Sequence, residues 1–203
     1  CGNESVVECW FCVTDEIAPV AVCDDDLNMS IGGDGYGRIY AEDVDEGSND
    51  NIGVFSIEVR RLMIMEDDCS LIDEPYYTPW GPYVEFSCCD VGTVVQVELK
   101  VTDLSGNINT CSTGVFVEDE AVPYCVAPDD MTTTCQVIPY TYDGSDLAIL
   151  QDNFGTPVGV DNCAIAQITE LAPIVNLDDC GYGTIIRRFQ VVDQFGNVSP
   201  NIC

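Results

Sequence analysis

Apolar and polar side chains alternate through much of Val94-Val95-Gln96-Val97-Glu98-Leu99-Lys100-Val101. A period of two predicts a strand with one face buried and one face wet. Phe55 to Arg60 and Ile185 to Val192 are β-branched runs broken by polar residues and predict two more strands. Turn-forming clusters stand between such runs at 32–35, 46–51, 105–107 and 195–197. The one helical candidate, Ser145 to Gln151, is at most two turns long. Short strands, regular turns and no long stretch of period 3.6 predict an all-β fold, built as sandwiches.

One hairpin pattern occurs twice. Gly92-Thr93 leads a strand to Val101, then Asp103-Leu104-Ser105-Gly106-Asn107, then a second strand from Ile108 to Val117. Gly183-Thr184 leads a strand to Val192, then Asp193-Gln194-Phe195-Gly196-Asn197, then Val198 onward. Glycine in each turn supplies the positive φ that a tight reversal needs. A third Gly-Asn, at Gly2-Asn3, precedes Cys9 with the spacing that separates Gly196-Asn197 from Cys203, namely Gly-Asn-x-Ser-x-x-x-Cys. The offsets Asp15 to Asp119 (104 residues) and Gly106 to Gly196 (90 residues) fit two sandwich-sized units. The expected organisation is an orphan closing strand over 1–15, a first domain over 16–118 and a second over 119–203 that lacks its final strand. Val6, Val7, Cys9, Trp10, Phe11 and Val13 are the candidate assembly strand, matched in sequence to that missing edge.

Charge narrows the partners. There are 36 acidic residues, 6 basic residues and no histidine, for a net charge of −30. Such a chain repels nucleic acid phosphates and anionic membrane surfaces and attracts divalent cations. No apolar stretch approaches the length of a membrane span, so no membrane insertion is expected. Without histidine a Ser-His-Asp arrangement is excluded, and abundant carboxylates make no single glycosidase-like pair informative. The expectation is a protein that is not an enzyme.

Thirteen cysteines with a single Cys-x-x-Cys, Cys9 to Cys12, predict a disulfide framework made in an oxidising compartment rather than a thiolate metal site. The odd number leaves at least one thiol without a partner in the chain.

Several ordered motifs resemble the hyalin-like (HYR-type) immunoglobulin-like repeats of secreted surface proteins and adhesins of Bacteroidota-type bacteria. Ala41-Glu42-Asp43-Val44-Asp45-Glu46-Gly47-Ser48-Asn49-Asp50-Asn51-Ile52-Gly53 looks like the loop of such a repeat, with Ile52 where a cysteine is expected. Asp15-Glu16-Ile17-Ala18-Pro19 with Cys23 is similar to a repeat start, and Val101 to Asn107 with Cys111 to a repeat end. The second unit keeps Asp119-Glu120-Ala121-Val122-Pro123 with Cys125, then Asp161-Asn162-Cys163, then Asp193 to Asn197 with Cys203. Cys88-Cys89 and the Asp73 to Tyr83 insertion depart from the pattern. The resemblance implies two tandem immunoglobulin-like β-sandwiches at the cell surface with spacer, adhesive or fibre-forming roles.

Calcium is the expected cofactor, because it takes six to eight hard oxygen ligands. Asp43, Asp45, Asp50 and Asn51 form one candidate constellation in a glycine-containing loop. Asp103 and Asn107 with Asp119 and Glu120 form a second, and Asp161, Asn162, Asp193 and Asn197 are the counterparts in the second unit. Cys23–Cys111, Cys125–Cys203 and Cys163–Cys180 are the expected disulfides; the partner of Cys69 is left open between Cys88 and Cys89. Tyr76, Tyr77, Trp80 and Tyr83 form one aromatic loop that would either stack on glycans or lie over its own sandwich. The resulting functional expectation is an extracellular filament subunit, polymerising with itself head to tail by strand complementation. The alternatives are a segment of one long adhesin and a carbohydrate-binding accessory module of a secreted enzyme.

Overall fold

The computed structural model describes residues 2–139 and 141–203; Cys1 and Tyr140 lie outside the described residues. The fold is mostly β. In chain order the elements are β1 (Leu27–Ser30), β2 (Tyr36–Tyr40), α1 (Ala41–Val44), β3 (Val54–Met65), β4 (Leu71–Tyr77), β5 (Tyr83–Ser87), β6 (Val94–Asp103), β7 (Ile108–Glu118), β8 (Tyr124–Val126), α2 (Leu147–Asn153), β9 (Val158–Val160), β10 (Ile165–Leu177) and β11 (Gly183–Asp193). Among the described residues, one five-stranded sheet has the order β1-β7-β6-β3-β4, and three two-stranded sheets pair β2 with β5, β8 with β9 and β10 with β11.

The chain forms two compact units. The first comprises the chain up to Leu27, Arg38–Val84 and Val94–Val115; the second comprises Asn28–Gly37, Glu85–Thr93 and Phe116–Cys203. They therefore interleave along the sequence instead of following one another at residue 118. Within the second unit this is visible in covalent and backbone links. Ile31 N donates to Glu118 O at 2.9 Å, Gly92 N to Val117 O at 2.8 Å, and Cys88 is disulfide-bonded to Cys163.

Alternation builds the first core. Along β6 each second residue is buried: Val95, Val97, Leu99, Val101 and then Asp103. β3 runs antiparallel to β6, with Val59 opposite Leu99 and Val54 opposite Asp103. Val59, Val97, Leu99, Val101 and Val115 are fully buried, as is Val44 of α1. Burying such a valine or leucine side chain stabilises by about 1.5–3 kcal/mol. On the wet face, Arg60 and Lys100 form ion pairs with Glu98 and Glu58 on the neighbouring strand.

The second unit repeats the scheme. β10 and β11 pair antiparallel from Ile165 opposite Asp193 to Leu177 opposite Gly183. Phe189, Val191 and Asp193 occupy successive buried positions of β11. A side cluster of Ile138, Tyr142 and Leu150 packs with Val175 and Ile185 and seats α2. That helix begins two residues later than the sequence suggests, because Asp146 caps it by accepting Ala148 N at 3.2 Å. Beyond the turn at Gly196, Val198 bridges Val192, Ser199 N donates to Val191 O at 2.9 Å, and Phe189 and Cys203 exchange backbone bonds. Residues 2–14, by contrast, carry no regular secondary structure and are exposed.

Candidate metal centres

Two aspartates end the buried faces of β6 and β11, one alternation past the last core valine. Asp103 and Asp193 are each only 1% exposed. Each carboxylate is held by its own turn. Asp103 Oδ1 accepts Ser105 N at 2.8 Å and Asn107 N at 2.9 Å; Asp193 Oδ1 accepts Phe195 N and Asn197 N, both at 2.8 Å. Gly106 and Gly196, with φ of 90° and 96°, permit the reversal. Burial opposes ionisation of Asp103, but the Asn107 side chain and the amides of Asn107, Ser105 and Gly106 outweigh it and hold the carboxyl below its ordinary value.

The asparagine after each glycine is a clip. Its Nδ2 donates to the second oxygen of the same aspartate, at 2.8 Å in both units. It also reaches the start of the unit: Asn107 donates to Asp15 O (3.1 Å) and Ile17 O (3.2 Å), and Asn197 to Asp119 O (2.8 Å). The clip thereby brings Asp15 to Asp103, and Asp119 to Asp193.

A third carboxylate completes each group. Asp50 folds back on Ile52 N (2.9 Å) and Asp161 on Cys163 N (3.2 Å), the same two-residue Asx turn in both units. Asp15, Asp50 and Asp103 then offer oxygens within 4.8 Å of one another, as do Asp119, Asp161 and Asp193. Two oxygens bound to one calcium at 2.3–2.6 Å stand at most about 5 Å apart, so each group fits around a single ion.

The oxygens left without partners point to a cation. Asp119 Oδ2, Asp161 Oδ1 and Asn162 Oδ1 are buried and accept nothing, and so is Asp15 Oδ2 in the first unit. A buried acceptor without a donor is costly unless a cation or water satisfies it. Asn162 Nδ2 is pinned by Asp119 Oδ1 and Gly32 O, both at 3.1 Å, which leaves its oxygen for the carboxylate group. Its counterpart Asn51 donates Nδ2 to Asp15 Oδ1 at 3.3 Å. The other Asn51 amide atom, an oxygen in that orientation, lies 3.1 and 3.3 Å from the Asp50 carboxylate oxygens. Rotating the amide would relieve that contact, but a shared cation relieves it too and keeps the arrangement seen at Asn162. Burial, then the charges of Asp119 and Asp193, push the Asp161 carboxyl above its ordinary value, against the pull of the Cys163 amide. Three carboxylates and an amide oxygen are hard donors, suited to a hard cation rather than to a thiophilic metal.

The grouping differs from the expected one. Asp43 and Asp45 do not join Asp50: Asp43 caps α1 by accepting Tyr40 N at 2.9 Å, and Asp45 holds its turn by accepting Ser48 N at 3.0 Å. Asp103 and Asn107 gather with Asp15 rather than with Asp119 and Glu120, because the clip reaches back to the start of its own unit. Glu120 is exposed and outside both groups. Asp15 is absent from the expected ligands, although its offset from Asp119 marks it as the equivalent residue.

Among the described residues, eight cysteines are in disulfides. Cys23–Cys111 and Cys125–Cys203 form, each with Cα atoms 5.9 Å apart, and Cys69 and Cys89 are also bonded. The expected Cys163–Cys180 bond does not form. Cys163 precedes β10 and Cys180 follows it, so the strand separates them by roughly 40 Å, whereas a bridge needs Cα atoms within about 7 Å. Cys163 bonds to Cys88 instead, and Cys180 is free, as are Cys9, Cys12 and Cys135.

The aromatic loop is committed to its own unit. Tyr77 and Trp80 each stack on the Arg60 guanidinium, with centroids 4.3 Å away, and Lys100 Nζ lies 4.9 Å from Trp80. Tyr83 packs on Arg38 and Tyr40. Tyr76 is exposed.

None of the protein-family models, curated proteins or solved structures compared with the chain matches it. Among the described residues no helix is long and apolar enough to cross a membrane.

Proposed function

We propose that this chain is an extracellular structural protein of two calcium-loaded immunoglobulin-like modules of the hyalin-like type, assembling with its own copies into a surface fibre. The observation that carries the reading is the duplicated carboxylate group. Two units build the same three-aspartate, two-asparagine arrangement from the same motifs and leave buried oxygens in it without a donor. Nothing in such a group suggests turnover of a substrate. Each instead ties the start of a unit to its loop and its closing hairpin. Calcium bound there would neutralise three carboxylates and cross-link those three segments. The disulfides and acidic surface fit an oxidising, extracellular setting.

Assembly by strand complementation draws on the exposed apolar segment at Val6, Val7, Trp10, Phe11 and Val13. A heterologous contact of this kind grows as a filament wherever the rotation between copies does not close a ring. A covalently continuous array is the second reading. It is favoured by one spacing: Gly2 leads to Asp15 in thirteen residues, as Gly106 leads to Asp119.

Calorimetric titration of the chelator-treated chain with calcium tests the metal reading. Two sites per chain are expected, with a raised melting temperature. A chain that neither takes up calcium nor changes its melting point refutes it. Negative-stain microscopy of the calcium-loaded, oxidised chain tests assembly; particles that stay single at high concentration count against it.

A further inference from the structure

Every residue of the motif Gly-Asn-x-Ser-x-x-x-Cys has a task in residues 196–203. Gly196 turns the chain at positive φ. Asn197 clips Asp119 to Asp193. Ser199 is buried, and its Oγ accepts Val191 N at 3.1 Å. Cys203 exchanges backbone bonds with Phe189 and is bonded to Cys125. Residues 2–9 repeat that motif residue for residue, yet none of its members is so used. Asn3 and Ser5 lie on exposed chain, and Cys9 is an exposed free thiol.

We propose that residues 2–9 of one copy displace residues 196–203 of a second copy and take over its disulfide. This rests on the self-assembly reading above and names its covalent lock. Asn3 then clips Asp119, Ser5 caps Val191, and Cys9 meets Cys125. The exchange needs no external oxidant. The Cys9 thiolate attacks Cys125 Sγ, the Cys125–Cys203 bond breaks, and Cys203 leaves as a thiolate and takes up the proton. One disulfide forms as one is lost.

The incoming segment is the better strand. Val6-Val7 replace Pro200-Asn201, and Val6 supplies a backbone N–H where proline has none. The donor also continues past its cysteine with Trp10, Phe11 and Val13, which are 84–93% exposed in the free chain. Resident pairing reaches only Phe189, and β11 extends back to Gly183. Among the described residues, the backbone from Thr184 to Arg188 bonds to β10 alone. Those donor residues therefore have an edge to cover. Thirteen residues after Gly2 comes Asp15 of the donor's own first group, so the donor passes directly into its first unit.

The test is to hold the oxidised 203-residue chain at high concentration, quench free thiols with iodoacetamide and map non-reduced peptides by mass spectrometry. A Cys9–Cys125 peptide, alkylated Cys203 and a reducible ladder on a non-reducing gel are expected. Cys9→Ser removes the ladder, and Asn3→Ala slows its growth by about thirtyfold, as expected for the two hydrogen bonds of the clip. Cys9 fully alkylated after long incubation with Cys125–Cys203 intact, or Cys9 joined only to other cysteines, overturns the proposal. Calcium-dependent melting of the Cys9→Ser chain separates the two readings. A ladder without calcium binding leaves the exchange standing and removes the metal; calcium binding without a ladder does the reverse.

Discussion

Asp119 and Asp161 share one buried group, and each keeps one carboxylate oxygen that nothing in the unit satisfies. Their charges oppose each other, which, behind burial, raises the Asp161 carboxyl above the ordinary 3.8. The native chain thus holds that proton longer than the unfolded chain. Stability of the metal-free second unit should therefore fall as pH rises from the ordinary value through the native one. Asp103 acts in the opposite sense. Its lowered carboxyl contributes stability that is present above the ordinary value and is lost as pH falls through the native one. Chemical denaturation across acidic pH, with chelator present, checks both signs.

On the proposed calcium reading, loading should reverse the second unit's penalty, since a bound cation favours the ionised form. Binding must then release a proton wherever Asp161 is partly protonated, visible as a buffer-dependent heat in calorimetry. At free calcium 100 times Kd, each loaded site adds about 2.7 kcal/mol of stability. Asp161→Asn should raise the melting temperature of the chelated protein and abolish the calcium-induced rise at that site. A variant less stable without calcium would show that the carboxylate is not in repulsion.

Asn107 and Asn197 are expected to be as important as the carboxylates they position. Asn197→Ala leaves Asp119 O and Asp193 Oδ2 without their donor and should cost about 1–3 kcal/mol, with weakened calcium binding in the second unit only. Asn107→Ala should do the same in the first unit. Site-resolved calcium titration by NMR of the aspartate carbonyl signals checks that the effects stay local. An Asn197→Ala chain that binds calcium normally at both sites would show that the clip does not hold the carboxylate group together.

The bond between Cys88 and Cys163 closes a separation of 75 residues within the second unit. Its removal as Cys88→Ser/Cys163→Ser should cost about 2–5 kcal/mol in urea denaturation. Cys180→Ser should change stability little, because that thiol is exposed and free. The reverse ranking would restore the pairing of Cys163 with Cys180.

Much of the fold is legible in the alternation of β6 and β11, which fixes the strands, their buried faces and the inward position of Asp103 and Asp193. The repeated turns disclose which residues correspond. What local spacing does not disclose is the choice of partners across the chain. Asp43 and Asp45 lie closest to Asp50 in sequence, but backbone amides at α1 and its following turn claim them first. Asp15 belongs to the group through Asn107, which a long-range hydrogen bond places beside it. Cys163 and Cys180 are near in sequence and far in space because a thirteen-residue strand lies between them.

Trp80 discriminates between packing and ligand recognition. Its ring covers Arg60 and Lys100, the two cations that pair with Glu98 and Glu58 on the wet face of the first sheet. Each such contact is worth about 0.5–1 kcal/mol at partly exposed sites, so Trp80→Ala should destabilise the first unit by about 1–2 kcal/mol. Arg60→Gln, which removes the cation and leaves the rings, should cost at least as much, because it loses the contacts to both Trp80 and Tyr77 and the ion pair with Glu98. A glycan-reading surface predicts something else: Trp80→Ala would leave stability unchanged and abolish retention on a glycan array. Parallel urea melts and array binding of the wild-type and Trp80→Ala chains decide between them. The stacking geometry favours the loss of stability, since a ring already covered by two cations on its own sheet offers little open face to a sugar.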